Sequence, residues 1–491
     1  MEETTVVIVG AGPAGLALAT ALSNWKIKVR LVSVNYHPGL WTTKPFFTLN
    51  QHHDWLEQVH QPAGVILQPG LEQALREQVR SSAYAELRLQ CTLTSVLEVA
   101  DGVVVSYTRG DGTEAKLKGA YLVGADGKRG FVRKEYLEAK GIEQIPGLMH
   151  YDAEWIAANL HITLPTPTSH PDFPLWSLGY KPEELWDLFW PEGFHFCNHP
   201  TMPVATGRFG PANDRYWRFE YELPAGFKPD DFEQHLEEQM RPHLTLQRER
   251  LRRNGNTPPG PVKFPWDCVN VIRCAPAHFV HKVVNQWFHN RIILIGDAAH
   301  VFPPFGAQGM ASGIRDAFSL SWRLALLCNR TVCAELSPQA HDLLSAWSRE
   351  RREGVDQAIT ETMRMGRFLL NKSPLVATVA NLVSGILEYL PFLRDAFFRR
   401  ILTDAVGIRD VGHGYFMPNY RGGLKVAQIY VKSPDGAIQL SDHLFWRSQA
   451  VLTLLILYSP SKQEAVVIDE TLITFFCSII LIGRKVCARC P

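Results

Sequence analysis

The sequence predicts an α/β protein whose first domain is interrupted by an inserted, mostly β lobe and followed by a small C-terminal lobe. The chain opens with a strand, a glycine turn, a helix and a second strand; residues 151–264 are rich in tryptophan and short alternating runs; and the α/β pattern resumes near Asn290. We therefore expect residues 1–150 and 265–405 to form one discontinuous domain, residues 151–264 the inserted lobe, and residues 406–491 the C-terminal lobe.

Composition limits the class of protein. The chain has 491 residues, 46% hydrophobic and 20% charged, which is enough for several domains and a large core. A formal net charge of +1 predicts no nucleic-acid partner. The acidic start, MEETTVVIVG, lacks the basic region of a secretory signal, and the nine cysteines are scattered and odd in number. These features favour a cytoplasmic protein with reduced thiols.

Membrane association is expected to be at most weak and peripheral. The most apolar run, residues 471–483, is shorter than the roughly twenty residues that a spanning helix needs, so a buried strand pair is favoured over a tail anchor. The apolar helical stretch at residues 373–402 is predicted to pack in the core, and lying on a membrane surface is the alternative.

The N-terminal segment carries the first motif. An apolar strand at residues 5–9 is followed by Gly10, Gly12 and Gly15 in G-x-G-x-x-G spacing, then by a helix and a second strand at residues 29–34. The first glycine permits a tight turn, the second lets a pyrophosphate approach the backbone, and the third packs the helix on the strand. This βαβ order predicts a dinucleotide whose phosphates lie at the helix N-terminus.

The ribose end of this predicted site lacks an expected group. About twenty residues after the motif, such units usually have an acidic residue that accepts hydrogen bonds from the ribose, whereas this chain has Ser33. A hydroxyl in place of a carboxylate removes a charge-assisted contact of about 1.5–3 kcal/mol. We therefore expect weaker binding, not its loss.

Two later strands end in an aspartate. The run GAYLVGADG contains Asp126 and Gly127, and RIILIGD contains Gly296 and Asp297. Carboxylates at the carboxyl ends of parallel strands lie on the usual ligand side of a sheet. A helix N-cap is the alternative interpretation of either aspartate.

Three segments now stand in one order: GAGPAG, LVGADGKRGFVRK and GDAAHVFPPFGAQGMASGIRDA. Together they resemble the group A flavoprotein monooxygenases, the single-component FAD-dependent aromatic hydroxylases with the fold of 4-hydroxybenzoate hydroxylase. The late segment, the helix start QPGLEQAL and the appended C-terminal lobe look most like the phenol and 3-hydroxyphenylpropionate hydroxylase branch. The resemblance covers most of residues 6–327 and is weak in the inserted lobe. It implies a Rossmann-like FAD-binding domain of the GR2 type, a mixed-sheet substrate lobe and a small, truncated-looking thioredoxin-like lobe.

The resemblance also implies an activity. In this family NADPH or NADH reduces FAD, reduced flavin and O2 give a flavin hydroperoxide, and its distal oxygen goes to an electron-rich ring. The implied function is hydroxylation of a phenolic or other electron-rich small molecule, with a secondary metabolite among the candidates. The alternatives are epoxidation of a polyketide or terpenoid on the same scaffold, and an inactive flavoprotein-like binding protein. The implied partners are an aromatic or polyketide substrate, O2 and a second copy of the chain in a homodimer.

The site residues follow from the same resemblance. Asp297 is expected on the ribityl chain, Pro303 and Pro304 beside the flavin ring, and the helix after Ala307 with its N–H groups directed at the ring. Pro304 and His300 are the nearest candidates for tuning the ring region, and a core or cap role is equally expected for His300. The full set of expected cofactor contacts is Gly10, Gly12, Gly15, Ser33, Lys44, Gln68, Asp126, Gly127, Gly296, Asp297, Gly306, Gly309 and Met310.

The sequence departs from the family pattern at Ser33, at Gly130 in place of a common serine, and at Ala311 in place of a common asparagine. Lys44 stands in for an arginine that the pattern usually has. No metal site is expected, because neither the histidines of NQHHDW and GFHFCNH nor the C-x-x-C of the C-terminal CARC has the spacing and context of a zinc or redox site.

Overall fold

The structure is a computed structural model. It describes residues 2–21, 34–37, 39–43, 45, 47–49, 68–199, 201–211, 214–328 and 337–371, parts of 373–393, and residues 430–432, 436–440, 453–458 and 478–483. The helices are α1 (Pro13–Ala21), α2 (Gln68–Ser81), α3 (Pro182–Phe189), α4 (Phe232–Met240), α5 (Gln308–Cys328) and α6 (Pro338–Leu369). The strands are β1 (Glu2–Val9), β2 (Val34–His37), β3 (Phe47–Leu49), β4 (Thr92–Val99), β5 (Gly102–Thr108), β6 (Glu114–Gly124), β7 (Gln144–Pro146), β8 (Asp152–Ile162), β9 (Phe194–Cys197), β10 (Val204–Arg208), β11 (Tyr216–Glu222), β12 (Thr245–Leu246), β13 (Val262–Lys263), β14 (Val269–Val280), β15 (Lys282–Val284), β16 (Phe288–His289), β17 (Ile292–Leu294), β18 (His300–Val301), β19 (Tyr430–Lys432), β20 (Ile438–Leu440), β21 (Thr453–Tyr458) and β22 (Ser478–Gly483).

The first sheet is organised around β6. β1 pairs with β6 in parallel, β17 pairs in parallel with the end of β6, and β5 pairs antiparallel with its beginning. Buried aliphatic residues of β6 and β17, among them Leu122, Val123 and Ile293, pack with helices α5 and α6 in the main core. The strand, glycine turn and helix at the start of the chain, and the return to α/β structure near Asn290, are therefore as the sequence predicts.

The second sheet has seven strands in the order β14-β8-β11-β10-β9-β2-β3. It extends past the predicted boundary at residue 264, because β14 (Val269–Val280) pairs with β8 along its whole length. The predicted second strand, residues 29–34, lies outside the described residues except for Val34. That residue begins β2, which pairs with β9 of this second sheet.

The two faces of the second sheet carry different layers. On one face, Trp190, Trp217 and Phe219 are fully buried in the lobe's own core, so these aromatic residues fill a core. On the other face, Trp155 and Phe196 pack with residues of the first domain. We call this second face the loop face, because Phe305, from the loop that precedes α5, packs against it.

Local signals set the helix starts. Asp231 caps α4 by accepting hydrogen bonds from the amides of Glu233 (2.8 Å) and Gln234 (3.1 Å). The long helix α6 also begins at a Ser-Pro pair, since Ser337 Oγ accepts from the Ala340 amide at 3.2 Å and Pro338 is the first residue of the helix.

The C-terminal part is described only in fragments. β19 pairs antiparallel with β20, and β21 pairs in parallel with β22, which lies in the apolar run of residues 471–483. A thioredoxin-like arrangement remains a prediction. Described apolar residues of the 373–402 stretch, such as Leu375 (70% exposed) and Phe392 (80%), do not pack in the core as expected. Within the described ranges, no helix is both long enough and apolar enough to cross a bilayer.

Candidate active site

Three sequence-distant motifs begin at the same edge of the first sheet. In the parallel register, Val9 pairs with Gly124, and Gly124 pairs with Leu294 on its other side. The chain leaves these three strands at Gly10, Ala125 and Ile295, so the glycine turn and the two aspartate loops emerge side by side. This edge is the ligand side of a parallel sheet.

The first motif has two glycines that the protein itself requires and one that it does not. A Cβ on Gly10 would lie 2.2 Å from the Ala125 carbonyl oxygen, and one on Gly15 would lie 2.1 Å from the Gly10 carbonyl oxygen. Around Gly12, no described atom lies within 4 Å of a Cβ position. The space at Gly12 is therefore left at the N-terminus of α1, where the helix has unpaired N–H groups for an anion.

The side chain of Asp126 is directed toward the loop that follows it in the chain. Its Oδ2 accepts a hydrogen bond from the Val132 amide at 2.9 Å, and Gly130 makes room for the carboxylate, because a Cβ there would lie 2.1 Å from it. A side chain at position 130 would therefore require the Asp126 carboxylate to move from this position. Burial raises the pKa of Asp126, although the Val132 amide opposes this. Its Oδ1 is buried and has no hydrogen-bond partner among the residues that the structure describes.

Gly296 and Asp297 lie where the first motif meets α5. A Cβ on Gly296 would lie 2.9 Å from the Ala14 Cβ, and one on Gly313 would lie 3.1 Å from the same atom. This close packing brings α1, the Asp297 turn and α5 together. Asp297 is exposed in the cleft that they form, but the surrounding protein raises its pKa, against the opposing charges of His300 and Lys128.

The segment between β18 and α5, which we call the proline loop (residues 302–307), ends in an unusual backbone. Gly306 has φ 68° and Ala307 has φ 53°, so two successive residues adopt the left-handed conformation just before α5 begins at Gln308. This conformation is costly for alanine. At Gly309, in the first turn of α5, the nearest described atom to a Cβ position is 3.8 Å away. That atom is the Cβ of Phe302, so the proline loop and the first turn of α5 are in van der Waals contact at this point.

A buried network that we did not predict holds the proline loop. Asp316 of α5 accepts hydrogen bonds from the Gly296 amide (2.9 Å), His300 Nε2 (2.7 Å) and Arg351 Nε (2.6 Å). Asp316 and His300 are both fully buried. Burial alone raises the pKa of Asp316, but His300 and Arg351 outweigh it and lower the pKa to about 2. His300 therefore acts on the site by supporting the loop, because its side chain has no surface in contact with the cleft.

The loop face of the second sheet meets the proline loop through aromatic rings. Phe305 makes edge contacts with Tyr151 and Trp155, with ring centroids 5.6 Å and 5.4 Å away. Trp155 Nε1 donates a hydrogen bond to Tyr151 Oη at 2.7 Å. Glu222 pairs with Trp155 in the register and so lies on the same face, where it interacts with Tyr151. A phenolic hydroxyl and a carboxylate thus lie next to the loop.

Other expected contacts are placed differently or not described. Ser33 and Lys44 lie outside the described residues. Gln68 begins α2 and donates from Nε2 to Glu72 Oε1 at 2.9 Å on the surface. Met310 is half-buried in the first turn of α5, and Gly127 has φ 83°, which favours glycine in its turn.

The described residues fit FAD. The unfilled space at Gly12, together with the unpaired buried Oδ1 of Asp126, marks positions where a ligand would complete contacts that the described residues leave open. Free helix N-termini suit the diphosphate and the anionic ring of the reduced cofactor.

Comparisons with known proteins agree with this geometry. A sequence profile described as FAD binding domain matches residues 37–362, well over half of the chain. The chain belongs to this family of FAD-binding proteins. The expected family, FAD-binding fold and cofactor are confirmed at this level.

Named relatives are more distant. The chain is 28% identical over 304 residues to a probable NADH-specific resorcinol 4-hydroxylase of Rhodococcus jostii. This match covers 62% of this chain and 47% of the relative. It is 24% identical over 331 residues to a 3-(3-hydroxyphenyl)propionate/3-hydroxycinnamic acid hydroxylase of Burkholderia cenocepacia, over 67% of this chain and 51% of the relative. The chain thus spans about half the length of these two relatives.

Among solved structures, the anhydrotetracycline hydroxylase OxyS of Streptomyces rimosus matches with a TM-score of 0.60 and 19% identity, over 98% of this chain and 90% of that one. This likeness shows that the two proteins share a fold.

Proposed function

We propose that the protein is an FAD-dependent monooxygenase that uses NADH or NADPH and O2 to hydroxylate a phenolic or other electron-rich aromatic molecule. The observation that carries the proposal is the meeting of two surfaces: an edge with three cofactor-type loops, and a sheet face with Tyr151 and Trp155 that packs on one of those loops. Membership of the FAD-binding family and the names of the relatives support it.

The chain has separate groups for each part of the cofactor. The α1 N-terminus at Gly12 would hold the diphosphate, and Asp297 would accept hydrogen bonds from ribityl hydroxyls. A hydroxyl donor would also relieve the unfavourable surroundings that raise the pKa of Asp297. The start of α5 would lie against the flavin ring, because Gly306 and Gly309 have no side chains that would prevent a close approach.

FAD, when bound, supplies electron transfer from the nicotinamide and activation of O2. The protein's own groups orient the reactants and exclude water. The N–H groups at the start of α5 favour negative charge at the ring. Phe302 and Phe305 are almost fully buried: Phe302 packs in the main core, and Phe305 closes the loop against the second sheet. The buried Asp316 network holds the loop at its position during turnover.

The substrate would lie between the proline loop and the loop face. The Tyr151 hydroxyl accepts a hydrogen bond from Trp155 Nε1 and is directed to Glu222. Burial raises the pKa of Tyr151 well above its ordinary range, and the charge of Glu222 raises it further. Tyr151 therefore stays protonated at neutral pH and positions the carboxylate to accept a hydrogen bond from a phenolic hydroxyl. A small dihydroxybenzene or a larger polyketide phenol would both present such a group.

The visible absorption spectrum of the purified protein is the first test. We expect an oxidised flavin spectrum, NAD(P)H oxidation that phenols stimulate, and a product heavier by one oxygen atom in mass spectrometry. If no flavin binds even with excess FAD, the protein is a binding protein and the proposal fails. A product with an epoxide in place of a hydroxyl would support the alternative chemistry.

Tyr151→Phe tests the substrate surface. We expect unchanged flavin content and a KM for the phenol that rises about tenfold, the equivalent of one hydrogen bond. Tyr107→Phe is the matched control, because the Tyr107 hydroxyl also accepts a hydrogen bond, from Arg88 Nη1 at 2.6 Å, but Tyr107 lies in the first sheet. An equal effect of both substitutions on KM would contradict a substrate contact at Tyr151.

A further inference from the structure

Three side chains of metal-ligating type converge in the second lobe, away from the motif edge. His170 lies in the segment between β8 and α3, and Asp267 and Cys268 lie just before β14. His170 Nε2 is 3.1 Å from Asp267 Oδ2 and 3.3 Å from Oδ1, and the ligand atoms of all three residues lie within 4.8 Å of one another. Residues 97 positions apart in the chain thus present nitrogen, oxygen and sulfur to one point.

The backbones at these positions are held firmly. The His170 amide donates to the Thr166 carbonyl at 2.8 Å, and the His170 carbonyl accepts from Trp176 Nε1 at 2.7 Å. On the other side, the Cys268 carbonyl accepts from both the amide (2.9 Å) and the hydroxyl (3.1 Å) of Thr163. Two anchored turns therefore fix the separation of the ligand atoms, which lowers the cost of ordering them around an ion.

The surroundings resemble those of a metal ligand in two respects. Ser169 Oγ lies 2.9 Å from His170 Nδ1, so it can accept the Nδ1 hydrogen and leave the Nε2 lone pair for an ion. Cys268 is 5% exposed, whereas the Asp267 side chain is 74% exposed. A cation here would have a thiolate on the protein side and an open coordination position on the solvent side.

We propose that His170, Asp267 and Cys268 bind a single zinc-type divalent cation, with water as the fourth ligand. The mixed nitrogen, sulfur and carboxylate set suits Zn²⁺ and Co²⁺, and it does not suit Mg²⁺ or Ca²⁺, which need oxygen ligands. Binding replaces the His170–Asp267 hydrogen bond and releases the Cys268 thiol proton to solvent. The cation clips the segment before α3 to the start of β14. This site is independent of the proposed oxygenase function.

Cobalt titration tests the site with a visible readout. We expect metal-free protein to bind one equivalent of Co²⁺ with a thiolate-to-cobalt charge-transfer band in the near ultraviolet, and Zn²⁺ to displace it. The full chain and a Cys487→Ser/Cys490→Ser variant are titrated side by side, because the C-terminal C-x-x-C, which lies outside the described residues, can itself bind cobalt. The band should persist in that variant.

Substitutions then locate the ligands. Cys268→Ser should remove the charge-transfer band, and His170→Ala should weaken Co²⁺ binding at least tenfold. Cys274→Ser and His278→Ala are the matched controls. The first removes another thiol of the same lobe, and the second breaks the exposed His278–Asp152 pair (2.7 Å), which has no cysteine ligand beside it among the residues that the structure describes. Both controls should bind cobalt normally.

Two results would overturn the proposal. One is the absence of a thiolate band in the Cys487→Ser/Cys490→Ser variant while its circular dichroism and melting temperature match the unmodified chain. The other is an equal loss of binding in Cys274→Ser and Cys268→Ser. Because folding is measured on each variant, loss of structure is distinguished from loss of a ligand.

Discussion

Asp316 is the residue that links the cofactor edge to the rest of the first domain. It accepts hydrogen bonds from the Gly296 backbone, from His300 beside the proline loop and from Arg351 of α6, and all of these contacts are buried. A buried charge without a partner lowers the stability of the folded protein, and removing either member of the Asp316–Arg351 ion pair leaves the other member buried and unpaired. The position of the proline loop therefore depends on a side chain that does not touch the ligand space.

We expect Asp316→Asn to lower the free energy of unfolding by about 3 kcal/mol, because Arg351 and the loop lose their buried acceptor. Urea denaturation followed by tryptophan fluorescence measures this. Asp101→Asn, which breaks an exposed pair with Lys118 (2.7 Å), is the control and should change stability by no more than about 1 kcal/mol. Comparable losses in the two variants would show that the network is not stabilising.

The same carboxylate gives a pH dependence. Its folded pKa, about 2, is below the value of about 3.9 for an unfolded aspartate, so its contribution is complete above about pH 4 and is lost as the pH falls toward 2. The stability difference between the wild type and Asp316→Asn should therefore narrow in acid titrations over this interval. A difference that is constant from pH 5 to pH 2 would contradict the assignment.

Substitutions at Gly12 and Gly15 should distinguish an effect on ligand binding from an effect on folding. Gly12→Ala should leave the melting temperature of the FAD-free protein unchanged and weaken FAD binding at least tenfold, because no described atom lies within 4 Å of its Cβ position and the proposed diphosphate would occupy that space. Gly15→Ala should destabilise the FAD-free protein by about 1–3 kcal/mol, since its Cβ meets the Gly10 carbonyl. Thermal melts and flavin fluorescence titrations measure both. A large loss of melting temperature in Gly12→Ala would remove the argument for ligand space there.

At the scale of elements, the second sheet separates two environments. Its loop face is directed to the candidate substrate space, and its other face buries His195 of β9 and His37 of β2, with His243 from the segment after α4. His195 Nε2 lies 3.2 Å from the Pro191 carbonyl and must donate to it, so His195 Nδ1 accepts from His37 Nε2 at 3.0 Å. The strand pair is thus held by neutral imidazoles.

This burial predicts a pH-dependent lobe. Burial lowers the pKa of His37 to about 4 and the pKa values of His195 and His243 to about 3. Because these values lie below that of an unfolded histidine, about 6.5, stability should be complete above that pH and fall toward pH 4. Each histidine contributes a slope of about 1.4 kcal/mol per pH unit.

His243→Gln should reduce this slope, and His341→Gln, on the exposed side of α6, should not. Urea denaturation at several pH values between 7 and 5 measures the slope. The fluorescence of Trp41 provides a local signal, because its ring stacks on His243 with centroids 4.1 Å apart. Equal slopes in the wild type and both variants would contradict neutral burial of His243.

At the scale of the molecule, the candidate site is an assembly of distant segments. Three loops meet because β1, β6 and β17 are adjacent and in register, and the second sheet reaches them through Phe305. A ligand that spans this edge would be bound by all of these segments together. Hydrogen exchange with and without FAD tests this arrangement.

We expect FAD to protect residues 10–16, 125–132 and 296–310 from exchange, and to leave β12 and β13, on the far side of the lobe, unaffected. The proline loop should be protected as strongly as the glycine turn. Protection confined to residues 10–16 would mean that the aspartate loops do not share the cofactor, and would overturn the assembled site.

Much of this architecture follows from local patterns. The glycine spacing after β1 and the two apolar strands that lead to Asp126 and Asp297 are short-range signals, and each is present where it was predicted. Glycine at position 130, in contrast, departs from the family pattern, and only the structure explains it, through the nearby Asp126 carboxylate. Steric requirements between neighbouring loops do not appear in a linear motif.

The sequence by itself determined the family, the FAD-binding fold and the segments that carry the motifs, because turns, strand ends and helix starts depend on residues close together in the chain. Only the tertiary structure showed that His300 is a buried partner of Asp316, that Tyr151 and Trp155 contact the proline loop, and that His170 meets Cys268. These relations join residues up to about 150 positions apart, as Tyr151 and Phe305 are. They depend on strand register and helix packing, which bring distant side chains within a few ångströms of one another.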